Sequence, residues 1–200
     1  MNVELMQHTS LAVTAHAIRT CWQSFDKSDD GGEKDKELID RVGNKFKHAS
    51  TLEHLTYTFY ISDVSRALLQ ELARHRMASP SVKSTRYTLK ELKESGTIDY
   101  KKFLVFTGIE SVDKASCQAL DNLQQILLDG VSNDRAKYCL PESYKTELTW
   151  TINARSLQNF ISLRSTKAAL WEIRELAIAL YKILPNDHQY LFKYCVNDEY

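Results

Sequence analysis

The chain is expected to adopt an α+β fold. It reads as a single mixed α/β domain over residues 1–200, with a short antiparallel sheet and several packed helices. Three observations predict this. Segments that alternate with period two, such as LTYTFYI and YKTELTWTIN, are interleaved with segments of helical period. The strand-like segments are few and short. No G-x-G-x-x-G and no P-loop occurs, so no dinucleotide-binding βαβ unit is indicated.

The elements follow in order. VELMQ reads as a first strand, and SLAVTAHAIRTCW as a helix with Ser10 as its N-cap. SFDKSDDGGEKD is a polar loop broken by Gly31 and Gly32. Leu38, Ile39, Val42 and Phe46 recur at helical spacing in KELIDRVGNKFKH. In LTYTFYI, Leu55, Tyr57, Phe59 and Ile61 share one face of a strand. DVSRALLQELARH returns to helix, with Val64, Leu68 and Leu72 on one stripe. Pro80 disfavours helix just before it, so this helix should end near Arg76. MASPSVKSTR reads as a loop and KKFLVFTG as another strand. SVDKASCQALDNLQQILLDG is an amphipathic helix stopped by Gly130. YKTELTWTIN is a strand, and ARSLQNFISLR and KAALWEIRELAIALYKIL are helices, the second ended by Pro185.

Charge narrows the function. Lys plus Arg number 26 and Asp plus Glu 26, so no global field draws the chain to nucleic acid or to an anionic membrane. MNVELMQHTS has no basic region followed by an apolar core and is not expected to act as a signal peptide, and no apolar run is long enough to cross a bilayer. Cys21, Cys117, Cys139 and Cys195 form no C-x-x-C pair and no zinc-finger spacing with histidine. They are expected to be reduced thiols in a cytoplasmic protein, mostly filling core.

Against this neutral background, RHRMASPSVKSTR crowds Arg74, His75, Arg76, Lys83 and Arg86 among Ser79, Ser81, Ser84 and Thr85. Like charges repel, so the cluster makes sense around an anion. Small and hydroxyl residues let backbone N–H groups approach an oxyanion, and Arg and Lys add charge. A solvated basic loop is the plainer alternative. Ser84 lacks a G-x-S-x-G setting, which argues against a nucleophile.

Two further stretches stand out. NARSLQNFISLR carries Asn153, Arg155, Asn159 and Arg164 among Leu157, Phe160, Ile161 and Leu163. In a continuous helix Asn153 and Arg164 share a face about 16 Å apart, while Arg155 and Asn159 fall on another. The segment then touches two portions of a ligand, or two subunits. Alternatively, Asn153 is only an N-cap and the arginines are solvated. In HASTLEHL, His48, Glu53 and His54 do not have H-E-x-x-H spacing, so no metal is expected. Capping by Ser50 or Thr51, with Glu53 in the first turn, is the simpler reading.

Together these stretches resemble the flavin-dependent thymidylate synthases. That family's signature is Arg-His-Arg, seven residues, then Ser. Here it reads Arg74-His75-Arg76, MASPSVK, Ser84, followed by Thr85-Arg86-Tyr87. STLEHLTYTF upstream and NARSLQNFISLR downstream continue the match in the family's order, over roughly residues 10–192. RTCWQSFDKSDDGG looks like the epsilonproteobacterial branch. The resemblance implies a homotetramer with active sites at subunit junctions. It implies bound FAD, NADPH as reductant, methylenetetrahydrofolate as carbon donor, and conversion of dUMP to dTMP without an enzyme nucleophile.

Carried over by position, His48, Ser50, Arg74, His75, Arg76, Asn153, Arg155 and Asn159 are expected at FAD. Glu71, Arg74, Lys83, Ser84, Thr85, Arg86, Lys137 and Arg164 are expected at dUMP. Arg164 matches the arginine assigned to activating the pyrimidine. Negative charge builds on N3–C4–O4 when C5 acts as the nucleophile, and a fixed guanidinium stabilises it. Thr85 stands where many relatives have Gly, and Lys137 where many have Arg. Lys137 cannot form a bidentate fork. Gln70 and Glu71 differ from the more usual Gln placement, and Ser81-Val82 replaces Asn-Glu. Competing readings are a nucleic-acid-binding module using the 74–86 loop, and a flavin- or nucleotide-binding protein without turnover. The first lacks an aromatic stacking motif.

Overall fold

Alternation along two central segments builds the sheet. The structure, a computed structural model, describes residues 1–196. Strand β1 (Asn2–His8) leads into helix α1 (Leu11–Thr20), where the Ser10 hydroxyl accepts from the Ala12 N–H. Helix α2 (Glu33–Ile39) continues as a π-helical stretch to Lys45. Phe46 lies beyond it and is 62% exposed, so it does not join the stripe expected from its spacing. Strand β2 (Thr56–Ser65) is central and antiparallel to β1. Tyr57, Phe59 and Ile61 are fully buried on one face, as their alternation predicts.

β2 extends further than expected. Its register shifts between Ile61 and Val64, and Asp63 adopts φ 56°, a left-handed conformation that Asp tolerates. Val64 therefore belongs to the strand and not to a helical stripe. Helix α3 (Arg66–Leu72) is short. Its N-cap Ser65 accepts from the Leu68 N–H and donates its hydroxyl to the buried Glu172 carboxylate. α3 ends at Leu72 and not near Arg76. Arg74 and His75 N–H groups bond to the carbonyls of Glu71 and Leu72, closing a tight turn that feeds the next strand.

That strand, β3 (Ala78–Val82), occupies most of the segment expected to be a loop. Its serines and proline read as loop because strand pairing with residues 148–152 is invisible locally. The sheet order is β1-β2-β4-β3, so β3 is an edge, where Pro80's missing N–H is tolerated.

Short helices α4 (Thr85–Thr88), α5 (Lys90–Glu94) and α6 (Tyr100–Phe103) follow. α6 replaces the strand expected from KKFLVFTG. Asp99 caps it by accepting from the Lys101 N–H, and beyond it an isolated bridge pairs Leu104 with Tyr144, with the Val105 N–H donating to the Ser143 carbonyl. A short apolar run does not distinguish a buried turn from a strand. Helix α7 (Glu110–Leu128) runs nearly as expected, with Gly130 at φ 87° beyond its end. Its Leu120, Leu123 and Leu127 join Leu89, Leu92 and Phe103 in a second, smaller buried cluster. Helix α8 (Asn133–Ala136) leads by a 3-10 turn to β4 (Lys145–Asn153).

β4 pairs with β2 and buries Leu148, Trp150 and Ile152 beside Tyr57 and Phe59. Helix α9 (Ala154–Arg164) and helix α10 (Trp171–Ile183) complete the main core. α10 packs on α3, α9 and β1. Each fully buried large side chain contributes about 1.5–3 kcal/mol. The opposite sheet face is polar, with Thr58 and Thr151 hydroxyls 3.0 Å apart and Tyr60 donating to Glu147. All four cysteines are free thiols; Cys117 and Cys195 are half-buried and pack against the two buried clusters, whereas Cys21 and Cys139 are exposed and fill no core. No helix among the described residues is long and apolar enough to cross a membrane.

Candidate functional site

The turn after α3 and the start of α9 meet at one cleft. β4 hands the chain directly to α9, and β3 lies beside β4, so Arg76 and Asn153 come together from 77 residues apart. The cleft encloses about 570 Å³ and is lined by Arg74, His75, Arg76, Asn153, Arg155 and Asn159, with Glu53, Met77 and Ser156. Six of the residues expected at the flavin thus share one cavity. Asn153 is the N-cap of α9, its side-chain oxygen accepting from the Ser156 N–H at 2.9 Å. Its backbone is extended, so it lies outside the helical wheel. That is why it joins Arg155 and Asn159 instead of the Arg164 face.

His48 and Ser50 lie elsewhere. His48 lines a separate cavity of about 860 Å³ with Trp22, Phe46 and Arg41. Ser50 is exposed on the 3-10 turn Ala49–His54, which it does not cap. Thr51 donates to the His48 carbonyl instead. Glu53 on that turn is not a helix-capping residue but pairs with Arg155 at 2.7 Å. The pairing of Thr56 with Asn153 places the two side chains within reach, a signal only the strand register carries.

Behind the cleft, Arg164 is held at the end of α9. Its Nε donates to His75 Nε2 at 2.9 Å, Nη1 to the Glu71 carboxylate at 2.7 Å, and Nη2 to the Glu71 carbonyl at 3.3 Å. Glu71 also lies 3.5 Å from Arg74. The His75 ring stands edge-on to Phe160, centroids 4.7 Å apart, and Phe160 packs on Trp150. Burial, then the Arg164 and Arg74 charges, push His75 down to about 4. The imidazole is neutral at pH 7. Because Nε2 accepts from arginine, its proton sits on Nδ1.

The other residues expected at dUMP gather past the far end of β3. Lys83 Nζ lies 3.6 Å from Glu147 and 4.0 Å from Glu91. Ser84 is the N-cap residue of α4, with no side-chain capping bond, and Thr85 is buried. The Arg86 side chain is exposed, while its carbonyl accepts from Asn133 on α8. Lys137 follows α8 directly and is half-buried. The five residues of β3 separate this group from Arg74–Arg76 by roughly 17 Å. Within one chain, the expected substrate residues therefore fall into two sets.

The family model for "Thymidylate synthase complementing protein" matches residues 4–187. The chain belongs to this family. A flavin-dependent thymidylate synthase of Wolinella succinogenes is 69% identical over the full length of both chains. One from Helicobacter pylori is 55% identical, covering 98% of this chain and 99% of that protein. The crystal structure of Helicobacter pylori thymidylate synthase X with FAD and dUMP matches at TM-score 0.92 and 54% identity, covering 98% of this chain and all of that one. Family members from the epsilonproteobacteria are thus among its relatives, and the α+β architecture is theirs. No similarity to a nucleic-acid-binding module supports that alternative.

Proposed function

We infer that this member of the family is a flavin-dependent thymidylate synthase, converting dUMP to dTMP. The observation that carries the reading is the gathering of Arg74, His75, Arg76, Asn153, Arg155 and Asn159 at one cleft, in a chain similar to such enzymes over its whole length. The cleft fits a dinucleotide flavin. Arg76 has no carboxylate within salt-bridge distance among the described residues and suits a phosphate, and Asn159 adds amide donors. We propose that FAD is held there by these residues, with His48 and Ser50, which lie outside the cleft of their own chain, completing the contacts from a neighbouring subunit. When bound and reduced by NADPH, FAD supplies the hydride, and methylenetetrahydrofolate supplies the carbon.

For dUMP, Lys83, Ser84, Thr85, Arg86 and Lys137 hold the phosphate end, while Arg74 and Arg164 serve the pyrimidine end, where Glu71 lies against Arg164. Arg164 stabilises the charge that builds on the ring as C5 attacks. The two sets lie at opposite ends of β3, which supports a homotetramer whose sites draw on more than one subunit. Residues 1–200 act as one cytoplasmic domain in this reading. The test is optical. Purified protein carries FAD, bleaches with NADPH without oxygen, and recovers its colour when dUMP and methylenetetrahydrofolate are added. A colourless protein, or a flavin that NADPH cannot reduce, contradicts the reading.

A further inference from the structure

Arg164 is more constrained than a surface ion pair requires. A guanidinium has five N–H donors in one plane. Three are committed, to His75 Nε2, to the Glu71 carboxylate and to the Glu71 backbone carbonyl. Two acceptors belong to Glu71 and one to His75, so all three nitrogens are tethered, which restricts the plane of the group and its rotation about Cδ–Nε. One N–H on each terminal nitrogen has no bonding partner among the described residues.

An arrangement chosen only to pair charge would set the carboxylate across both terminal nitrogens. Here only Nη1 meets the carboxylate; Nη2 goes to a backbone carbonyl and Nε to an imidazole, neither of which offers a charge. That ring also lines the flavin cleft and is clamped by Phe160. The arginine side chain is 15% exposed and Glu71 30%, so the group is neither sealed in the core nor free in solvent.

We propose that Glu71 and His75 are positioning residues for Arg164. They hold its guanidinium in one orientation, with one N–H on each terminal nitrogen left for the substrate ring. The inference rests on the reading of dUMP as substrate and of Arg164 as the group that stabilises its charge. It departs from a direct contact between Glu71 and dUMP, and the two are separable by kinetics. A positioning residue acts on kcat, because a misplaced donor fails in the transition state however much substrate is bound. A binding residue acts on KM.

The test compares Glu71→Met, Glu71→Ala and Glu71→Gln in the FAD-loaded protein. Glu71→Met keeps the length of the side chain and removes the acceptor, so it serves if Glu71→Ala does not fold. The expected result is a loss of about 10²-fold in kcat at saturating dUMP for Met and Ala. The Kd for dUMP stays within about threefold, and flavin reduction by NADPH within about twofold. Glu71→Gln still offers an oxygen to Nη1 and recovers kcat at least tenfold over Met. A KM effect that saturating dUMP overcomes would make Glu71 a substrate ligand and overturn the proposal. So would an unchanged kcat, or a Gln variant as slow as the Met variant. If the unaltered chain makes no dTMP, the functional reading has failed. Hydrogen exchange of the Arg164 Nε–H then judges the positioning alone. It should be at least tenfold slower in the unaltered chain than in Glu71→Met, and equal rates would overturn it.

Discussion

Removing the Arg164 guanidinium should separate binding from catalysis. Arg164→Ala deletes three hydrogen bonds, at 2.9, 2.7 and 3.3 Å, and one cation. Glu71 keeps Arg74 at 3.5 Å and is 30% exposed, so water reaches the vacated carboxylate. The stability cost is therefore about 1–2 kcal/mol. The catalytic cost is larger. Deleting one preorganised donor to a developing charge typically costs 10²–10³ in kcat, about 2.7–4 kcal/mol. Arg164→Lys should recover little, since an ammonium cannot hold both Glu71 and His75 in the same plane. The same change reports on His75. Burial is the main cause of its low value of about 4, and the Arg164 charge the next. Without Arg164 the imidazole should rise, yet stay below its ordinary value because burial persists. The assays are dTMP formation at saturating dUMP, anaerobic flavin reduction by NADPH, and NMR titration of His75. Full turnover by Arg164→Ala at saturating dUMP would refute the catalytic role. A His75 titration unmoved by the substitution would refute the contact.

Arg86→Ala should weaken dUMP binding by about 2–5 kcal/mol if the phosphate contact is desolvated, and added salt should weaken the unaltered protein. Calorimetric titration showing unchanged affinity removes Arg86 from the site. Asp35→Ala should destabilise the fold by about 3–5 kcal/mol in denaturant melts, because Arg19 is left buried without its carboxylate. An unchanged melting midpoint would show the pair to be dispensable. His188 is 1% exposed, bonded to the Tyr57 hydroxyl, and pushed by burial to about 4. Between pH 6.5 and 4 the unfolded chain takes up a proton there that the folded chain refuses. Its contribution is therefore intact above pH 6.5 and falls by up to about 3 kcal/mol toward pH 4. His188→Gln should flatten that part of the stability profile, and an equally steep profile in the variant would refute the assignment.

Much of the candidate cleft was legible because the signature residues that line it sit in contiguous stretches. Arg74-His75-Arg76 and NARSLQNF each arrive at the cleft as a block, and β4 leads straight into α9. What local pattern could not carry was pairing at a distance. Arg164 meets Glu71 and His75 across 93 and 89 residues, through a tertiary crossing of α9 and the α3 turn. β3 was hidden for the same reason. Its serines and Pro80 have low strand propensity, and only hydrogen bonds to β4 make it a strand. The 310-helical turn holding Glu53 looked like a helix start, although its carboxylate is used on Arg155. The central strands were legible because burial on one face imposes a strict period of two, which the order of apolar and polar residues reveals locally.

The central claim is that reduced flavin, and not the folate, supplies the hydride that completes the methyl group. An electron tally tests it most directly. Protein, FAD, NADPH, dUMP and methylenetetrahydrofolate are incubated without oxygen, and dTMP, NADPH and the folate product are quantified together. If the flavin is the hydride donor, one NADPH disappears for each dTMP formed, and the folate leaves as tetrahydrofolate. Formation of dTMP with dihydrofolate as product and no NADPH consumed would contradict the account, as would flavin reduction without any dTMP.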